Sequence, residues 1–234
     1  MAPFADLRLD ESQQEARASI EKSIADYPKL EERIVQHFLI TLHSRGLASI
    51  DEIYASVSSQ EESKLSGYGQ EESPHAENIH SPTRWSSNER TAIHKLVIDL
   101  AAVNFSSAEI QDIINLVVRR EEVKNLEDIA RLPNVSFDVL SQKVKEYCAL
   151  PKSSMKVPPT DTMATRGCLL HHLVSDQLDY IGVAKKYLRI SDINKIAERT
   201  VGPNRGMGRV GGKAAGMLLA NRIIEEHKHE FGDD

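Results

Sequence analysis

Helix-start signals recur along this chain, and they leave little room for a sheet. Ser49 with Glu52, Ser86 with Glu89 and Ser106 with Glu109 each place a hydroxyl residue three positions before a glutamate. In that spacing the hydroxyl accepts from a backbone N–H of the first turn while the carboxylate reaches back to the capping residue. Apolar residues follow with helical spacing: Ile93, Leu96, Val97, Leu100 and Ala101 on one stretch, and Ile110, Ile113, Ile114, Val117 and Val118 on the next. Both stripes read as core-forming faces. Further upstream, Pro28 suits a first helical position, and Leu30, Ile34, Phe38 and Leu42 form a face that Gly46 closes. Alternating β-branched runs are absent. The expectation is a mainly α, multi-helical chain.

Two stretches break the helical pattern. Residues 58–86 are rich in Ser, Glu, Gln, Gly and Pro, with few apolar positions, and read as a mobile linker. Residues 151–165, with Pro158-Pro159 and Ser153-Ser154, read as a second one. The predicted organisation is therefore an N-terminal helical segment over 1–57, the linker 58–86, a helical domain over 87–150, the linker 151–165, and a final region over 166–234. Within the third segment, Leu126–Ser136 faintly resembles the helix-hairpin-helix turn that grips DNA phosphates. Asn134 and Ser136 stand where its glycines would be needed, so an ordinary helix pair is the expectation.

A chain of 234 residues can bury a sizeable core in one or two domains. Its 40% hydrophobic and 27% charged content is that of a globular protein. A net charge of −6 argues against a general nucleic-acid or membrane-surface binder. No apolar run approaches the ~20 residues of a membrane span, and the first residues lack the basic and apolar regions of a signal peptide. Cys148 and Cys168 are too few for a disulfide framework, which makes a reducing cytoplasm the default compartment and small, partly buried thiols the default role.

The chemistry concentrates near the end. Gly206, Gly208, Gly211 and Gly212 are followed by Lys213 and an apolar helical run through Ile224. Clustered glycines allow positive φ and close approach to a ligand. The helix start behind them offers unpaired N–H groups and a partial positive charge. From Arg199 to Ile224 there is no acidic residue, whereas Arg199, Arg205, Arg209, Lys213 and Arg222 are basic. A lysine in a first helical turn opposes the dipole, so the pattern invites a compensating anion such as phosphate.

The loop is not a Walker A motif, because Met207 replaces a required Gly and Ala214 replaces the Ser or Thr that holds magnesium. A dinucleotide fingerprint would need a preceding strand, and residues 191–200 read as helix. A plain flexible connector is also compatible with the glycines. Other candidates are sparse. His171 and His172 are adjacent, which on an α-helix separates them by about 100° and disfavours chelation of one metal. Asp176 and Asp179 read as solvated charge, or as partners of Lys185, Lys186 or the basic glycine loop. His227 and His229 lie near the C-terminus, and no metal or catalytic set is assigned.

The segment Gly211-Gly212-Lys213-Ala214-Ala215-Gly216 and the following Met217-Leu-Leu-Ala220 resemble the opening of the ATP-binding domain of pyruvate phosphate dikinases and phosphoenolpyruvate synthases. Leu169–Leu188 is similar to the helical approach to that motif, and the likeness spans about residues 166–227. His171-His172 departs from it, since relatives tend to be basic there. The resemblance implies an ATP-grasp-type domain in which Gly211, Gly212, Lys213 and Arg209 contact phosphates and Lys213 neutralises developing charge. It implies ATP as cofactor, with Mg in the complete enzymes, and pyruvate or phosphoenolpyruvate as substrate. The phosphoryl-accepting histidine segment, the second nucleotide-grasping half and the pyruvate-binding barrel are not in this sequence. The expectation is an N-terminal portion of a kinase-type transferase, inactive alone. The alternative is a free-standing helical interaction or regulatory protein with a vestigial glycine loop.

Overall fold

The computed structural model describes residues 4, 7–65, 87–200 and 209–228, with backbone alone over 58–65. Within them lie α1 (Glu11–Ala25), α2 (Glu31–Ser44), α3 (Ile50–Leu65), α4 (Ser87–Asn104), α5 (Ser107–Ala130), α6 (Phe137–Ala149) and α7 (Pro159–Leu169). A π-helical turn follows over Leu170–Val174, and then α8 (Leu178–Tyr187), α9 (Ile190–Ala197) and α10 (Gly212–Glu226). The mainly α expectation holds, and no strand occurs among the described residues. None of the described helices is long and apolar enough to cross a membrane.

The chain divides into two compact units, 1–117 and 118–234, with the division inside α5. The expected segmentation had a helical domain over 87–150. Instead, α4 packs with α1, α2 and α3 in the first unit. Ile34, Phe38 and Leu42 of α2 are fully buried, and the Phe38 ring stacks on Phe105 at 6.2 Å. Gly46, at φ +68°, ends that helix: its N–H reaches the His43 carbonyl and the Leu47 N–H reaches the Leu42 carbonyl. This pair of hydrogen bonds closes the helix end and requires a left-handed residue there. Pro28, expected at a first helical position, lies in the turn before α2, which starts at Glu31.

Two of the capping signals are realised as written. Ser49 N–H donates to Glu52 at 2.8 Å and Glu52 N–H to the Ser49 hydroxyl oxygen at 3.1 Å. Ser106 N–H donates to Glu109 at 2.9 Å, with the reciprocal bond at 3.4 Å. With the Ser106 donors and Arg45 around it, the Glu109 carboxyl is held down to about 2. Ser86 and the mobility expected of residues 66–86 fall outside the described residues. The first part of that expected linker, 58–65, continues α3 as helix.

In the second unit, the non-helical stretch after α6 is shorter than 151–165. Pro159 opens α7 at the first helical position, where its missing N–H costs nothing. The segment Leu126–Ser136 joins α5 and α6 as an ordinary helix pair, as expected, with the Ser136 hydroxyl accepting from Val139 N–H at 3.3 Å to start α6. Leu169, Leu170, Leu173, Leu188 and Ala215 share one buried cluster, which therefore ties α10 to α7 and α8. Arg166 is buried with them, and its hydrogen bonds run to main-chain carbonyls. It donates to Pro159 at 3.0 Å, to Leu188 at 3.3 Å and to Thr162 at 3.4 Å. No carboxylate pairs with it among the described residues. Leu188 caps the C-terminus of α8, where the helix dipole favours a cation.

Candidate functional site

The glycine loop enters α10 through Gly211, whose φ of 88° and ψ of 157° fall in a region open essentially to glycine alone. Ala215 N–H makes the first intrahelical bond, to the Gly211 carbonyl at 3.1 Å. The N–H groups of Gly212, Lys213 and Ala214 precede that bond, no side chain among the described residues caps the helix, and residues 211–214 are exposed. The first turn holds no acidic residue. Lys213 extends into solvent without an ion-pair partner among the described residues. An anion at this place would meet several N–H donors, the positive helix end and an ammonium. Gly206, Gly208 and Arg205 fall outside the described residues.

Behind the exposed turn the loop is anchored on two sides. On one side the Tyr180 hydroxyl of α8 donates to the Ala215 carbonyl at 2.9 Å, and Ala215 itself is buried. Burial pushes the Tyr180 hydroxyl up to about 12, so it remains a donor throughout the neutral range. On the other side the chain leans on the π-helical turn. Val210 N–H donates to the Leu173 carbonyl at 3.1 Å, and Arg209 Nε to the His171 carbonyl at 2.9 Å. Those carbonyls belong to a helix end, where intrahelical donors have run out. Ser175 N–H closes the end by bonding the Leu170 carbonyl five residues back, at 2.9 Å.

The four residues expected to contact phosphate do not act alike. Gly211, Gly212 and Lys213 form the exposed start of α10. Arg209 is turned back: besides His171 it bonds Asp176 Oδ2 at 2.8 Å. Of the other basic residues, Arg222 lies beside Asp192 at 3.6 Å and Glu225 at 2.8 Å. Acidic residues outside the stretch thus neutralise part of its charge and leave Lys213 to face solvent.

Asp176 and Asp179 were expected one turn apart on a helix. Asp176 instead occupies the break between the π-turn and α8, and of the open alternatives it takes the one with the glycine loop. The histidine rings lie edge to face at 5.2 Å. Burial, His171 and Arg209 lower the pKa of His172, which favours a neutral ring beside the guanidinium. Cys148 and Cys168 are free and half-buried, and burial raises both thiols, as befits packing residues. Sequence reasoning missed Tyr180 and the carbonyls of His171 and Leu173.

A groove of about 560 Å³ lies elsewhere in this unit, lined by Phe137, Asp138, Ser141, Lys145, Glu198 and Thr200 among others. No described residue of the glycine loop lines it. Its mixed charges do not converge on one ligand chemistry, so the exposed start of α10 is the better candidate. No group of three or more His, Cys, Asp or Glu side chains that could hold a metal occurs among the described residues. Compared with protein-family models, with curated proteins and with solved structures, the chain matches none.

Proposed function

We propose that the second unit contributes the phosphate-contacting loop of an ATP-dependent phosphotransferase of the pyruvate phosphate dikinase and phosphoenolpyruvate synthase type. The observation that carries this reading is the uncapped, glycine-led start of α10, with Lys213 exposed in its first turn. The N–H groups of Gly212, Lys213 and Ala214 suit the oxygens of a nucleotide phosphate, and the Lys213 ammonium suits charge that grows on a transferring phosphoryl group. Magnesium has no acidic residue to hold it between Arg199 and Ile224, so it would arrive with the nucleotide. A site open to water on one side binds weakly, because each charge contact is screened.

ATP titration of the full chain, followed through amide resonances, tests the proposal. The expected result is a dissociation constant of about a millimolar or weaker, with shifts confined to 211–214 and reduced by Lys213→Ala. Shifts mapping to the groove between α6 and α9, or an unchanged response in Lys213→Ala, would overturn it.

A second reading, a helical interaction module, is favoured by Leu178 and Met217, which are 78% and 75% exposed. Large apolar side chains so placed gain by meeting a partner. Sedimentation equilibrium distinguishes this reading: concentration-dependent association abolished by Leu178→Ser with Met217→Ser supports it, and a monomer at all concentrations removes it.

A further inference from the structure

The arginine of the glycine loop was expected on the phosphate, yet it faces the other way. Arg209 sets one N–H on the His171 carbonyl at 2.9 Å and another on Asp176 at 2.8 Å, while the next residue bonds Leu173 through its backbone at 3.1 Å. Both carbonyls lie at the C-terminal end of the helix that runs through α7 and the π-turn. A guanidinium there satisfies an orphan acceptor and meets the negative end of the helix dipole. Its fork reaches the carbonyl and the carboxylate together, which a single ammonium does less well. The loop is thus clamped at Arg209-Val210, immediately before the glycine whose φ is 88°.

We propose that Arg209 is a positioning residue: by capping the end of the π-helical turn it fixes the direction in which Gly211, Gly212 and Lys213 face a phosphate. The inference rests on the phosphate reading of the loop, and assigns to Arg209 a task other than ligand contact. The two halves of the clamp are unequal. Asp176 has a side chain 63% exposed, so its pairing with Arg209 is weak, whereas the carbonyl bond is half-shielded and charge-assisted. The clamp should therefore survive loss of the carboxylate better than loss of the guanidinium.

The test uses the full chain with two readouts: amide exchange at Val210, and the resonance shifts of Gly211 and Gly212 on adding tripolyphosphate. In Arg209→Met, Val210 exchange should rise about tenfold or more and the tripolyphosphate shifts should shrink. In Asp176→Asn the rise should stay under about fivefold. Arg209→Lys should fall between them, and it serves in place of Arg209→Met if that variant does not fold. The reciprocal swap, Arg209→Asp with Asp176→Arg, should not restore protection, because a carboxylate at 209 would face the carbonyl end of a helix. Unchanged Val210 exchange in Arg209→Met, or full protection in the swap, would overturn the proposal. Tripolyphosphate shifts equal in wild type and Arg209→Met would also overturn it while leaving the phosphate reading standing. No tripolyphosphate response in the wild type, with Val210 still deprotected in Arg209→Met, would remove the phosphate reading and retain the clamp.

Discussion

At Ser106 the chain enters α5 with its donors engaged locally; at Gly211 it enters α10 with none of its own side chains doing that work. Ser106 and Glu109 exchange hydrogen bonds, and Arg45 pairs with the same carboxylate at 2.8 Å. Gly211 offers no side chain, and the first turn behind it carries a lysine where the dipole prefers an acid. What holds α10 in place comes from elsewhere in the second unit: the Tyr180 hydroxyl, the Leu173 carbonyl and the burial of Ala215. The contrast separates two ways to begin a helix. A start stabilised by its own sequence fills part of its N–H set, as Glu109 N–H is filled by Ser106, while one stabilised by packing can leave that set open to a ligand.

Four changes would break or sharpen this contrast. The largest effect should come from Gly211→Ala. A Cβ there would meet nothing within 4 Å, so the cost is backbone strain alone, about 1–3 kcal/mol in chemical denaturation. A D-alanine at the same place, introduced by semisynthesis, should recover most of it. If L-alanine costs nothing, the φ of 88° is not required by the fold. Ser106→Ala should lose about 1 kcal/mol, read in the same way, because the Glu109 N–H it frees has no other protein partner among the described residues. A neutral result would mean that the first unit holds α5 without its cap.

Lys213→Glu should act in the opposite sense, raising stability by about 0.3–1 kcal/mol by placing an acid in the first turn of α10. The same variant should lose its response to polyphosphate, so stability and binding move in opposite directions; a loss of both would contradict the dipole argument. The smallest effect is expected from acid. The Glu109 carboxyl is depressed to about 2, so its contribution is complete above the ordinary carboxylate range and fades as pH falls through about 2. Thermal unfolding of wild type and Glu109→Gln should therefore diverge at mild acidity and converge near pH 2. Parallel curves across that range would remove Glu109 from the linkage.

The helices were legible because their signals are local. Ser49-Glu52 and Ser106-Glu109 act within one turn, and the stripe from Ile110 to Val118 is buried as its period indicates. A comparable signal, Asp10 with Gln13, opens α1 and went unread, although their reciprocal bonds are 2.8 and 3.0 Å. The helix limits were less legible, since α3 continues through polar residues to Leu65 and α7 starts inside the expected linker. At the candidate site the open helix start followed from the glycines and from the lack of acid around Lys213. The clamp did not. A five-residue step at Leu170–Ser175 has no sequence period of its own, and bonds from Arg209, Val210 and Tyr180 to main-chain carbonyls leave no mark on the identities of the acceptors. Only the Arg209–Asp176 pairing had a trace, in the opposite charges.

Arg166 gives the second unit a different dependence on ionic strength from that of surface pairs such as Arg17–Glu21. Its charge is met by fixed carbonyl dipoles at short range rather than by a mobile or solvent-facing counter-ion. Dissolved electrolyte screens exposed charges over a Debye length of about 8–10 Å at physiological concentration, and reaches buried contacts far less. Added salt should weaken the exposed pairs while leaving the junction between α7 and the end of α8 unchanged, so that this junction behaves, for an ionic group, like part of the apolar core.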